Sequence, residues 1–207
     1  MKVFLHQGDL PESLEWSDSI AVDTETMGLQ HQRDPLCLVQ LSAGNGEAHI
    51  VQLDRKRYEA PRLKALLSDQ NIQKIFHFAR FDIGVIRHYL HVWVEPVYCT
   101  KIASKLVRTY TDSHGLKDLC QELLNKKISK QQQSSDWGSE HLSEAQLDYA
   151  ASDVLYLHKI QEKLNDMLQR ESKKELAEEC FSCLKTRVKL DLAGFGAHDI
   201  FSHASNG

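Results

Sequence analysis

Ser19-Ile20-Ala21-Val22-Asp23-Thr24-Glu25 is a short apolar run that ends in two carboxylates. A run of this length, bounded by polar residues, reads as a buried strand. Two more follow it. Leu36–Ser42 (LCLVQLS) is joined through the turn Ala43-Gly44-Asn45-Gly46 to Ala48–Leu53 (AHIVQL). The short Gly/Asn connection makes this pair an antiparallel hairpin. Downstream the pattern alternates. A helix around Ala60–Leu67 precedes the short strand Lys74-Ile75-Phe76-His77, and a helix follows with Phe78, Phe81, Val85, Ile86, Tyr89 and Leu90 at helical spacing. Val97-Tyr98 leads into a helix from about Thr100, another runs from about Gly115 to Asn125, and Lys126–Gly138 is a polar loop. Ser143 with Gln146 is a capping-box pattern that opens a helix expected to continue past Leu164. A further helical stretch and a short tail come after Gln169. Three antiparallel strands and then helix–strand alternation predict a mixed α/β sheet with helices on both faces, the ribonuclease H-like arrangement. The expected organisation is one domain over residues 1–207, with a core of about 18–170 and a C-terminal helix and tail over 171–207.

Composition narrows the function classes. The chain has 207 residues, 42% hydrophobic and 26% charged, enough to bury a core and too apolar for disorder. Its net charge is −4 and its pI near 6.2, which excludes a protein that coats long nucleic acid through an extended basic track. The clusters Arg55-Lys56-Arg57 and Lys126-Lys127-Lys130 read as solvated faces. An acidic balance suits an enzyme that meets phosphates through bound cations. No apolar run approaches the ~20 residues of a membrane span, so no membrane partner is expected. Met1-Lys2-Val3-Phe4-Leu5-His6 lacks the apolar segment of an export signal, and the expected location is the cytoplasm. The five cysteines, Cys37, Cys99, Cys120, Cys180 and Cys183, are an odd number that suits reduced thiols. Cys180, Cys183, His198 and His203 match a loose zinc spacing, but the cysteines lie in a charge-rich helix and the histidines in a Gly-rich tail, so helix cysteines beside tail histidines is the preferred reading.

Three segments carry the candidate chemistry. Asp23 and Glu25 are two apart on a strand, so both leave the same face, where they repel unless a cation intervenes. Taken alone, the pair reads equally well as an acidic strand-end turn. Asp82 falls on the stripe Phe78, Asp82, Val85, Tyr89, the core-facing side of its helix, where an unpaired charge is costly. Tyr149 and Asp153 stand one turn apart in the row Tyr149, Asp153, Tyr156, Ile160, Leu164. Several converging carboxylates are what two-metal phosphoryl transfer needs, with ions ~4 Å apart that clamp the attacking and leaving oxygens. All-oxygen ligands imply magnesium or manganese.

Val22-Asp23-Thr24-Glu25-Thr26-Met27-Gly28-Leu29, His77-Phe78-Ala79-Arg80-Phe81-Asp82 and Tyr149-Ala150-Ala151-Ser152-Asp153 resemble the three motifs of the DEDDy class of 3′-5′ exonucleases. Gly115-Leu116-Lys117-Asp118-Leu119 and the run Lys130 to Trp137 (KQQQSSDW) resemble ribonuclease D in particular. The resemblance implies that Asp23, Glu25 and Asp153 ligate two divalent cations, with Asp82 contributing to the second. It implies that Tyr149 orients the attacking water, that Leu29 wedges between the last two bases, that the Thr26 backbone meets the terminal ribose, and that His77 and Trp137 line the substrate site. Few residues follow the core. The chain therefore resembles the short ribonuclease D-like nucleases of the nanoRNase C type, which implies cleavage of RNA dinucleotides and a homo-oligomer, of eight subunits in that group. The segment Lys173–Leu192, with Leu176, Ala177, Cys180, Leu184 and Val188, reads equally well as part of such an interface and as a helix on its own core. Competing expectations are a trimming enzyme for longer RNA 3′ ends or for DNA, a non-catalytic nucleic-acid-binding module on the same fold, and a zinc-dependent regulator.

Overall fold

A computed structural model describes residues 2–129 and 131–203. Met1, Lys130 and residues 204–207 lie outside the described residues, and with them one member of the second basic cluster and the first residue of the KQQQSSDW run. Six strands form one mixed sheet: β1 (Lys2–Gln7), β2 (Ser19–Thr26), β3 (Leu36–Ser42), β4 (Glu47–Gln52), β5 (Gln73–Phe76) and β6 (Val97–Cys99), in the order β1-β4-β3-β2-β5-β6. β3 is antiparallel to both β2 and β4, while β1, β5 and β6 pair parallel to their neighbours. The expected hairpin is present, and Gly44 and Gly46, at φ of 77° and 85°, supply its left-handed turn. β1 was not foreseen. It is an edge strand with no fully buried residue, and only its pairing with a partner some forty-five positions away makes it a strand.

The helices are α1 (Pro61–Ser68), α2 (Ala79–Leu90), α3 (Thr100–Val107), α4 (Leu116–Leu124), α5 (Glu144–Leu155), α6 (Leu157–Arg170) and α7 (Lys174–Leu190). The long helix expected from Ser143 is two. At Tyr156 (ψ −7°) the chain turns, because α5 presses Ala150, Ala151 and Val154 against the sheet while α6 buries Leu157, Ile160, Leu164 and Leu168 against α3 and α4. One straight helix cannot aim both stripes. α7 packs on its own fold through Ala177, Phe181, Leu184 and Val188, and leaves Leu176 exposed. Its end is pinned to the first turn of α2, where Asp191 accepts from Arg80 at 2.6 and 2.7 Å and also from Arg187. Among the described residues, no helix is long and apolar enough to cross a membrane.

Position, rather than bulk, makes α5 important, since it lies across β2, β3 and β4 and bears Tyr149 and Asp153. Its start is set by a complete capping box. The Gln146 N–H donates to Ser143 Oγ at 3.3 Å, and the Ser143 N–H donates to Gln146 Oε1 at 3.0 Å. Ser143→Ala is expected to lower stability by about 1 kcal/mol. Chemical denaturation reads this directly, and an unchanged midpoint would mean that packing alone places the helix.

Candidate active site

Strand periodicity sends Asp23 and Glu25 out of the same face of β2. α5 crosses above and lowers Asp153 onto them. One carboxylate oxygen from each of Asp23, Glu25 and Asp153 lies within 4.8 Å of the others, and among the described residues this is the one such group of potential metal ligands. Three oxygens each ~2.1 Å from a common point meet that spacing, so the donor set fits a hard divalent cation. Asp82 enters from α2 and is only 3% exposed. The Thr24 hydroxyl donates to its Oδ1 at 2.7 Å, so Asp82 stands behind the other three and adds charge to them. The turn into α2 is made by Phe78 at φ 71°, a left-handed conformation costly for a large side chain and held here beside His77.

Burial raises every one of these acids, and neighbouring carboxylates add to it at Asp23, Glu25 and Asp82. Burial, then Asp82, Asp153 and Glu25, lift Asp23 well above the usual carboxylate range. Glu25 is pushed up to about 9 by burial and by Asp153 and Asp82. Burial pushes Asp82 and Asp153 up to about 7, against the stabilising bonds from Thr24 and Tyr149 respectively. The Tyr149 phenol is raised as well, by burial first and then by Asp153. Without a cation the group keeps protons at neutral pH, and a divalent ion would displace them.

A cavity of about 690 Å³ opens over the cluster. Asp23, Glu25, Tyr149 and Asp153 line it, and so do Thr26, Leu29, His77 and Trp137, so eight of the nine anticipated residues converge and Asp82 stays beneath. Leu29 projects from the rim, 83% exposed. Trp137 is buried, its ring centroid 5.9 Å from that of Tyr149. The Thr100 hydroxyl donates to Phe76 O, so His77 Nδ1 donates to Thr100 Oγ1 (2.9 Å). Arg55, in a cluster read as a solvated face, braces the loop beside Trp137 by donating to Gly138 O at 2.7 Å.

Several residues escaped the reading of the sequence. Thr24 bonds Asp82 across 58 positions, and strand parity, which turns it away from the face of Asp23 and Glu25, gives no signal for that pairing. Lys101 and Lys117 line the cavity as its cations, and Lys101 Nζ lies 4.5 Å from the Phe78 ring centroid. Lys101 carries no local signal, and Lys117 lies inside the Gly115–Leu119 motif without a role having been read for it. The C-terminal Cys180, Cys183, His198 and His203 do not form a metal-binding group among the described residues.

Against known proteins, the profile of a family described as 3′-5′ exonuclease matches residues 8–169. Ribonuclease D of Gluconacetobacter diazotrophicus is 32% identical over 162 residues, which is 78% of this chain and 41% of that protein. The chain thus spans about two-fifths of the length of the curated relatives it matches. Among solved structures, Brucella melitensis NrnC with bound Mg2+ superposes with a TM-score of 0.93 at 50% identity, over 99% of this chain and 100% of that one. The same protein bound to pGG gives 0.94 at 51% identity, over 99% and 100%.

The raised carboxyls have a consequence for stability. From their ordinary values of 3.8 and 4.5 up to about 9, they hold protons in the folded protein that the unfolded chain has lost. The folded state binds more protons there, so metal-free stability falls as pH rises through that window. Thermal melts in EDTA from pH 5 to 9 are expected to show a declining Tm, with a shallower decline in Asp23→Asn. A Tm that climbs toward pH 9, or an equal slope in Asp23→Asn, would contradict a crowded acidic site.

Proposed function

This chain belongs to the 3′-5′ exonuclease family, and within it we propose that the protein is an exoribonuclease that hydrolyses short RNA from the 3′ end, down to dinucleotides, releasing nucleoside 5′-monophosphates. The observation that carries the reading is the convergence of Asp23, Glu25 and Asp153 within 4.8 Å, roofed by Tyr149 and backed by Asp82. Asp23, Glu25 and Asp153 are the residues that would hold two divalent cations, Mg2+ or Mn2+, with Asp82 assisting. Cations held there would supply charge neutralisation at the scissile phosphate and a lowered pKa for the attacking water. Support for the metal comes from the all-carboxylate donor set and from the Mg2+-bound Brucella structure.

The other roles belong to the protein. Tyr149, its hydroxyl against Asp153 and its ring against Trp137, orients the water for attack. Its raised phenol stays protonated, so it acts as a hydrogen-bonding group and leaves the base role to others. Leu29 presents an apolar edge between the last two bases, the Thr26 backbone meets the terminal ribose, and His77 lies beside the terminal nucleotide. Lys101 and Lys117 offer positive charge to the strand within an otherwise acidic cavity. Short RNA is favoured for a physical reason: with a net charge of −4 and no extended basic track, additional phosphates bring little added affinity. The similarity to NrnC bound to pGG supports the same substrate length. We further propose that residues 1–207 form one exonuclease domain, that the protein works in the cytoplasm, and that it assembles as a homo-oligomer, with an octamer as the expected form.

Chelation is expected to abolish activity, and Asp23→Ala, Glu25→Ala, Asp82→Ala or Asp153→Ala to lower turnover by orders of magnitude in a folded protein. Full activity in excess EDTA would end the metal reading. Tyr149→Phe keeps the ring and removes the hydroxyl, so kcat should fall sharply with KM little changed. If the rate is unaltered, Tyr149 is a packing residue.

Substrate length separates the remaining readings. Single-turnover rates on end-labelled RNA of two to twenty nucleotides should be at least as high for the dinucleotide as for ten nucleotides, and Leu29→Ala should lose most on the dinucleotide, where stacking worth ~1–3 kcal/mol per base carries the binding. A rate that climbs steadily with length would favour a trimming enzyme for longer RNA or DNA.

A further inference from the structure

One residue on the carboxylate-bearing face has no place in the chemistry above. Gln40 sits in the middle of β3, directly opposite Asp23 in the antiparallel pair. Opposed residues share a face, with Cβ atoms ~5 Å apart. Gln40 is completely buried, and neither its amide nitrogen nor its amide oxygen has a hydrogen-bond partner. The surroundings are apolar. Its β4 partner is Ile50, and Leu38, next on the same face, packs with Ile50, Trp137 and Ala150.

An amide left unpaired in such a place is destabilising, and a methionine or leucine of similar volume would avoid the penalty. The other buried polar atoms without partners among the described residues belong to rings, His31, Tyr98, Trp137 and His158, whose apolar bodies account for their burial. Gln40 has no such excuse, since its only distinctive part is the amide. Buried polar groups that break the rules of packing tend to mark functional positions.

The neighbouring carboxylates show what the amide can do. Asp82 is held by the Thr24 hydroxyl, and Asp153 by Tyr149. Asp23 receives the Thr24 backbone N–H. A ligating carboxylate is ordinarily fixed by a donor to the oxygen not spent on the ion, and the loss of that donor weakens metal affinity. We propose that Gln40 is the positioning residue for Asp23: its Nε2 donates to the Asp23 carboxylate when a divalent cation draws that group into ligation. The proposal rests on the metal reading of the site. It also accounts for a fully buried glutamine at the one position of β3 opposite Asp23.

The test separates positioning from packing because the two predict opposite signs. Mn2+ titration calorimetry is run on the wild type, Asp23→Asn, Gln40→Met and Gln40→Leu, with metal-free melting of each. Gln40→Met and Gln40→Leu are expected to bind Mn2+ about 10–100-fold more weakly, while the metal-free Tm holds or rises. Unchanged Mn2+ affinity in either folded variant overturns the positioning role and leaves the metal reading standing. An absence of Mn2+ binding in the wild type sinks both. A lower Tm with intact affinity makes Gln40 a packing residue and also overturns it. Should neither variant fold, the side-chain amide resonance of Gln40 in the wild type decides. It should shift on Mg2+ addition, and a resonance unmoved at saturation overturns the proposal.

Discussion

Mutual repulsion among four carboxyl groups at the end of β2 is the constraint around which this molecule is built. Asp23 and Glu25 on the strand, Asp153 from α5 and Asp82 from α2 share a site that burial has stripped of most of its water. Like charges this close are tolerated only as protons or a cation neutralise them. The metal-free protein holds protons at pH values where ordinary carboxyls have released them, and its site is poised to exchange those protons for divalent ions. The wall of the cavity repeats the logic, because Lys101 and Lys117 lie within reach of an anionic strand without approaching close enough to pair away the acids.

Holding such a site open requires rigid supports on three sides, and the fold supplies them. β3 is buried along its full length and backs β2. The capping box fixes where α5 begins, and hence the height at which Asp153 and Tyr149 meet the strand. The paired arginines on Asp191 tie α7 to the first turn of α2, next to Asp82. The rim loop that carries Leu29 rests on the same region, with the His31 ring against the Phe81 ring at 5.1 Å and the Gln32 amide donating to Leu192 O at 2.8 Å. Strain collects where the chain must turn sharply into the site, at Phe78.

These supports differ in kind from the residues they hold. Thr24, Gln40 and Trp137 are buried, and each lies against an acid or against Tyr149. Polar or strained features here are explained by the chemistry of their neighbours, since apolar substitutes would pack as well or better. The rim is built differently, with Leu29 open to solvent above the buried acids.

The sequence by itself determined the strand-and-helix order from Ser19 onward, the hairpin, the capping box and the three acidic segments, because each is a local pattern: strand parity, helical spacing, a turn. Those patterns located Asp23, Glu25, Tyr149 and Asp153, and the family resemblance supplied the other four residues that line the cavity, Thr26, Leu29, His77 and Trp137. What required the tertiary structure depends on partners distant in the chain. β1 exists as a strand through β4, and the break at Tyr156 arises because α5 and α6 answer to different surfaces. Thr24's hold on Asp82 spans 58 positions. Lys101 and Lys117 become part of the site only once α3 and α4 are folded beside it. Gln40 looks like any polar residue in a strand until the β2–β3 register sets it opposite Asp23 and burial removes every other partner. Local pattern specifies which face a side chain takes, and only packing decides what that face meets.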